Sequence, residues 1–99
     1  MSQPVTLTSR IRIPDGIVHR DLEGESVILN LNTSTYFGLD PVGTRIWNLL
    51  QDQVTLERIR AQLLAEYEVS EGQCTEDMLT LVNQLLEKGL VEFTNGTTP

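Results

Sequence analysis

The stretch Ser26-Val-Ile-Leu-Asn-Leu-Asn-Thr-Ser-Thr-Tyr-Phe-Gly-Leu39 runs directly into Asp40-Pro-Val-Gly-Thr-Arg-Ile-Trp-Asn-Leu-Leu50, and its reading decides the fold. Val27, Leu29 and Leu31 alternate with Ile28, Asn30 and Asn32. After the polar turn Asn32-Thr-Ser34 a second run, Thr35 to Leu39, alternates again, which predicts a β-hairpin. Asp40 offers a side-chain oxygen to the free amides of a following helix, and Pro41 loses no hydrogen bond at a first helical position. The second strand therefore passes straight into a helix. Whether the outer edge of that strand is covered by the rest of the chain or left open becomes the central question.

Toward the N-terminus, Ile17-Val-His-Arg-Asp-Leu22 reads as another strand, with Glu23-Gly24-Glu25 turning into Ser26, so that a three-stranded antiparallel meander is expected. Before it, Ser9-Arg-Ile-Arg-Ile13 alternates briefly and Pro14-Asp15-Gly16 ends it as a turn; residues 1–16 read as an N-terminal arm. Toward the C-terminus, a helix from Pro41 to Gln51 carries Val42, Ile46, Leu49 and Leu50 at helical spacing beside Trp47. Thr55 caps a second helix with Leu56, Ile59, Leu63 and Tyr67 as its buried stripe. Ser70-Glu-Gly-Gln73 has the form of a capping box, and the third helix it begins should close at Lys88-Gly89. On the helical wheel Leu81, Leu85, Met78, Val82, Leu86 and Leu79 fill an arc of about 160°, wider than the roughly 100° that packing on one neighbour requires. One flank of this helix is therefore expected to be spare. Leu90-Val-Glu-Phe93 is a short terminal strand, and residues 94–99 form a polar tail expected to fray.

Ninety-nine residues supply one modest core, so a single domain over residues 17–93 is expected. No run approaches the roughly 20 apolar residues of a membrane helix, and the first residues, Met-Ser-Gln-Pro, carry no basic segment followed by an apolar one. With the single cysteine, Cys74, which excludes an internal disulfide and a cysteine-pair zinc site, this predicts a cytoplasmic protein without a membrane partner. Seven Lys and Arg against fourteen Asp and Glu give a formal net charge of -7, which repels polyphosphate and argues against nucleic acid. The same acidity favours a basic or neutral peptide and also serves solubility.

Catalytic constellations are scarce. Cys74 lies on the apolar side of the third helix and reads as a structural thiol, since reactive cysteines need exposed electropositive surroundings. His19, the single histidine, sits in an alternating strand beside Arg20 and Asp21 and reads as a surface or pairing residue. There is no Gly-rich phosphate loop, no histidine pair at metal spacing and no serine elbow, so neither an enzyme nor a cofactor is expected. Glu66, Glu68 and Glu71 read as a solvated rim. Tyr36 and Phe37 are adjacent in a strand and must point to opposite faces; the outward ring either packs on the third helix or borders a groove for an added peptide strand.

Three strands followed by three helices, with the phrase Tyr36-Phe-Gly-Leu-Asp-Pro-Val-Gly-Thr-Arg-Ile-Trp-Asn-Leu-Leu50 and the closing pattern Asp77-Met-Leu-Thr-Leu-Val-Asn-Gln-Leu-Leu-Glu-Lys-Gly-Leu-Val91, resemble the PqqD-like family of leader-peptide-binding proteins. The resemblance covers about residues 17–93. It implies an α+β, winged helix-turn-helix-like domain, a RiPP recognition element without catalytic activity. Such a domain holds the leader of a ribosomally made precursor as an added strand between its third strand and third helix, and presents the core peptide to a separate modifying enzyme or leader protease. The stand-alone type of the lasso-peptide pathways is the nearest in kind. Carried onto this chain, the strand edge is Ser34, Thr35, Tyr36, Phe37 and Gly38. The closing pattern of the family centres on the Leu81, Val82 and Leu85 positions, which assigns that flank to the core. Leu79, Leu86 and the near edges of Met78 and Val82 are then expected to line the groove. The competing expectation is a winged-helix DNA-binding regulator, which would need a basic recognition helix; Glu76, Asp77 and Glu87 stand against Lys88 there.

Overall fold

A computed structural model describes residues 5–52 and 54–94. The chain begins with a short strand, β1 (Ile11–Arg12), and continues through the meander β2 (Ile17–Leu22), β3 (Glu25–Asn30) and β4 (Thr35–Leu39). Three helices follow, α1 (Pro41–Leu50), α2 (Leu56–Glu66) and α3 (Glu71–Glu87), and then β5 (Glu92–Phe93). The three-stranded antiparallel sheet followed by three helices is the α+β fold expected from the sequence. Its order is β2-β3-β4, so β3 is central and, among the described residues, β4 has a strand partner on one side only.

The β2–β3 turn has two residues, Glu23 and Gly24, both with positive φ (51° and 88°), the geometry that matches the twist of the flanking strands. Register sets the faces. Ser26, Ile28 and Asn30 of β3 are buried, and their partners across the ladders are Asp21, His19 and Ile17 on one side and Leu39, Phe37 and Thr35 on the other. These residues share the inner face. Val18, Val27, Leu29 and Tyr36 share the outer one, where Tyr36 is 71% exposed.

Each helix starts where its cap is. Asp40 accepts from the Gly43 amide at 2.7 Å, Thr55 from Arg58 and Ser70 from Gln73 at 3.2 Å. Caps of this kind contribute about 1 kcal/mol each. The capping box at α3 is only half formed, because the Gln73 side chain reaches forward to Asp77 (2.8 Å) instead of back. Tyr67 is not part of the buried stripe of α2: it is the C-cap residue, in extended conformation, and is exposed. The periodicity ran one residue past the helix, and the extended backbone turns the ring away from the stripe. Gly89 closes α3 at φ +72° as expected, a conformation that disfavours any residue with a Cβ.

The core lies between the inner face of the sheet and the helices. Ile28 and Leu39 of the sheet, Ile46, Trp47 and Leu50 of α1, Leu56, Ile59 and Leu63 of α2 and Met78, Val82 and Leu85 of α3 form it. Trp47 is 1% exposed and meets His19 edge-on with ring centroids 6.2 Å apart, so its truncation to alanine should cost about 3–5 kcal/mol. The N-terminal segment is tied in as well: Ile11 is fully buried, β1 pairs with β5, and Ser9 and Leu7 carbonyls accept from the Leu56 and Glu57 amides. Residues 95–99 of the tail expected to fray, and residues 1–4 of the arm, lie outside the described residues.

Candidate functional site

Because β4 ends the sheet, its second row of backbone groups has no strand partner among the described residues. On that side a groove of about 460 Å³ lies between β4 and α3. Phe37, Gly38 and Leu39 form one wall. Asp77, Leu81 and Gln84 form the other, spaced four and three residues apart and hence on one helix face. The start of α1, with Val42, Gly43 and Ile46, makes the floor at one end.

Asn30 and Lys88 link the two walls. The Asn30 amide donates to the Gly89 carbonyl at 3.1 Å, while its oxygen accepts from the Asn32 and Thr33 amides, so one buried side chain ties the hairpin turn to the end of α3. Lys88 then stands with its ammonium 6.0 Å from the centre of the Phe37 ring, at the outer limit of a cation–π contact. Outside the groove, Arg45 of α1 grips Glu66 of α2 through Nε and Nη2, at 2.9 and 2.7 Å. Those bonds, with a further one from Gln62, hold the Glu66 carboxyl down at about 2.

The residues carried over from the family divide in this geometry. Phe37 and Gly38 line the groove. Thr35 starts β4, whereas Ser34 sits in the turn with φ +60°, its amide bonded to the Asn30 carbonyl, and neither is part of the lining. The Tyr36 ring is on the outer face of the sheet, away from α3, so only its backbone belongs to the open edge. Met78 and Val82 have no exposed surface and are core residues, which corrects the expectation that their near edges line the groove. Leu79 and Leu86 are half-buried on the opposite flank, not among the groove residues. The reason is that α2 occupies that side: Arg60 reaches Thr75 (3.1 Å) and Glu71 (3.6 Å), which share it with Leu79 and Leu86 on the wheel. The wide apolar arc is thus used up by two neighbours, and the flank that meets the groove is mostly polar. Asp77 and Gln84 carried no apolar signal; only their spacing with Leu81, one turn and two turns along, could have pointed to them.

Nothing in the groove resembles a reaction centre. Cys74 is buried, and that burial raises its thiol pKa, which keeps it protonated and unreactive. Among the described residues no three His, Cys, Asp or Glu side chains are grouped to hold a metal, and no helix is long and apolar enough to cross a membrane.

A sheet edge without a further strand among the described residues, faced across a groove by a helix, has the geometry on which peptides can add as strands. The family model described as coenzyme PQQ synthesis protein D (PqqD) matches residues 25–91, and the chain belongs to that family. Two solved structures are similar over most of their lengths. One, TbiB1 in complex with the TbiA(beta) leader peptide, is 40% identical with a TM-score of 0.77, covering 82% of this chain and 94% of that one. The other, a lasso peptide synthetase B1 complexed with the leader peptide, shares the fold at 24% identity and a TM-score of 0.76, covering 85% and 99%. No curated protein sequence matches the chain.

Proposed function

We propose that this protein is a non-catalytic RiPP recognition element that binds the leader region of a ribosomally synthesised precursor peptide and delivers it to a modifying enzyme or leader protease. The observation that carries this reading is the free edge of β4 opening onto the groove against α3. A peptide laid there pairs its backbone with β4, and every second side chain points toward Leu81 and Phe37. The family and the 40% identity to a protein solved with a leader peptide support the ligand class. Likeness to a lasso peptide synthetase B1 suggests the same kind of pathway. Catalysis is left to the partner enzyme, since the groove offers the leader backbone pairing and apolar contact and no activated nucleophile. A nucleic-acid role is disfavoured by Asp77 on the exposed wall and by the net charge of -7.

The test is calorimetric titration of the folded protein with the leader of the precursor encoded beside its gene. Saturable binding at micromolar concentration or below is expected. No heat at about 50 micromolar, a standard free energy near -6 kcal/mol, would remove the reading.

A further inference from the structure

The wall that α3 gives to the groove carries opposite charges at its two ends. Asp77, Leu81 and Gln84 line the groove, and the same row continues one turn farther to Lys88, whose ammonium stands 6.0 Å from the centre of the Phe37 ring. At the helical repeat these four positions fall within an arc of about 60°, so they form one narrow stripe. Asp40 reinforces the acidic end: it lines the groove beside Leu39 and Gly43, with one carboxylate oxygen held on the Gly43 amide. Lys88 is the single lysine of the chain, and among the described residues neither it nor Asp77 belongs to an ion pair. Arg45 and Arg60 are occupied by Glu66 and Glu71, and Arg20 lies on the outer face of the sheet, which leaves Lys88 to set the charge at its end of the groove. Glu87, next to it in the chain, is about 100° away around the helix.

Resting on the reading of the groove as a leader site, we infer that this stripe sets the direction and register of the leader by charge: it selects a paired segment with a basic residue on its N-terminal side, an apolar residue in the middle and an acidic residue on its C-terminal side. The lengths match. Lys88 is 11 residues beyond Asp77, a rise of about 16 Å along the helix, and about five residues of extended chain cover that span. An added strand turns alternate side chains to one face, so three of them, at every second position, meet the acidic end, Leu81 and the lysine in turn. The ends are fixed relative to β4. Asp77 lies with Val42 and Ile46 at the Leu39 end, whereas Gly89, beside Lys88, is tied to Asn30, which pairs with Thr35 at the start of the strand. Addition antiparallel to β4 continues the pattern of the sheet. In that direction the leader enters at Asp77 and leaves past Lys88, which makes the order basic first and acidic last. The reverse order sets like charges together at both ends and disfavours that register.

Asp77 and Lys88 are both exposed, so their charges can be exchanged without opening the core. The probes are the leader encoded beside this gene and versions of it with each acidic residue changed to lysine or each basic residue changed to glutamate. At low ionic strength Lys88→Glu should weaken the unaltered leader about fivefold, the scale of a solvent-edged ion pair. One acid-to-lysine peptide, altered on the C-terminal side of the residue that meets Leu81, should lose the same factor on the wild-type protein and regain most of it on Lys88→Glu. Asp77→Lys with the basic-to-glutamate peptides reads the other end, and carries the test if Lys88→Glu melts early. Losses that add instead of cancelling, or unchanged affinity for the unaltered leader in both folded variants, would overturn the charge order while leaving the groove reading intact. Rescue of Lys88→Glu by a change on the N-terminal side of the leader would mean parallel addition and equally overturn it. Failure of the wild-type protein to bind any of the peptides would remove the groove reading and this one with it.

Discussion

The two flanks of α3 are made of different material and face different things. The flank toward α2, with Leu79 and Leu86, is more apolar and is half-covered by its neighbour. The flank toward β4, with Asp77, Leu81 and Gln84, is largely polar and borders open space. The more hydrophobic side thus packs on α2, and the side that borders the groove, where the proposed leader contact falls, looks like ordinary solvent-facing helix. A groove that must stay hydrated and soluble until a peptide arrives cannot be lined throughout by leucines. On the proposed reading one apolar contact, Leu81, set between polar groups, acts together with backbone pairing along β4.

Substitutions can break this contrast at graded cost. The largest effect belongs to the strip between the flanks: Leu85→Glu places a carboxylate where no surface is exposed and should cost several kcal/mol of a total of about 5–15, so a thermal melt should show a largely unfolded protein. Leu81→Glu should lower stability by about 1–2 kcal/mol, since the half-buried side chain also packs on the core, and should in addition lose about tenfold or more in leader affinity by calorimetry, ~1.4 kcal/mol, because it puts a charge against the apolar face of the added strand. Leu79→Glu and Leu86→Glu should lower stability by a similar amount while the folded fraction binds leader as before. If the Leu81 and Leu79 variants exchanged these behaviours, the groove would lie on the α2 side.

The smallest effect tests the α1–α2 clamp that stands clear of both flanks. Glu66 is held near pKa 2, below its ordinary 4.5, so the stabilisation from its pairing with Arg45 is present above pH 4.5 and is lost as pH falls toward 2. Arg45→Met should remove that part of the acid limb of a melting-temperature profile, and the difference from the wild type should shrink toward zero at the acid end.

Much of this architecture was legible in the sequence. The hairpin, the passage through Asp40 and Pro41 into a helix, the caps at Thr55 and Ser70 and the glycine closure at Gly89 are each fixed by a local physical requirement, and local requirements can be read from neighbours in the chain. The site was legible only in part, because its geometry depends on long-range choices. Tyr36 and Phe37 must face opposite ways, yet both are aromatic, and only the pairing of Ile28 with Phe37 decides which ring turns inward. Asn30 looked like one more polar position in an alternating strand; it is buried and holds the Gly89 carbonyl, 59 residues away. The third-helix arc was wide because α3 serves two neighbours, not because one of its flanks awaited a ligand. Width alone does not tell those cases apart, and Met78 and Val82, at the middle of the arc, are core.

The central claim is that a leader peptide joins the sheet at β4, and amide hydrogen exchange of the leader-saturated protein tests it most directly. Protection should rise at amides between Thr35 and Leu39 that face the open edge, while β2, at the far side of the same sheet, exchanges as in the free protein. Saturated leader binding with the exchange of β4 unaltered would contradict the account, because a peptide bound without pairing to that edge is not an added strand.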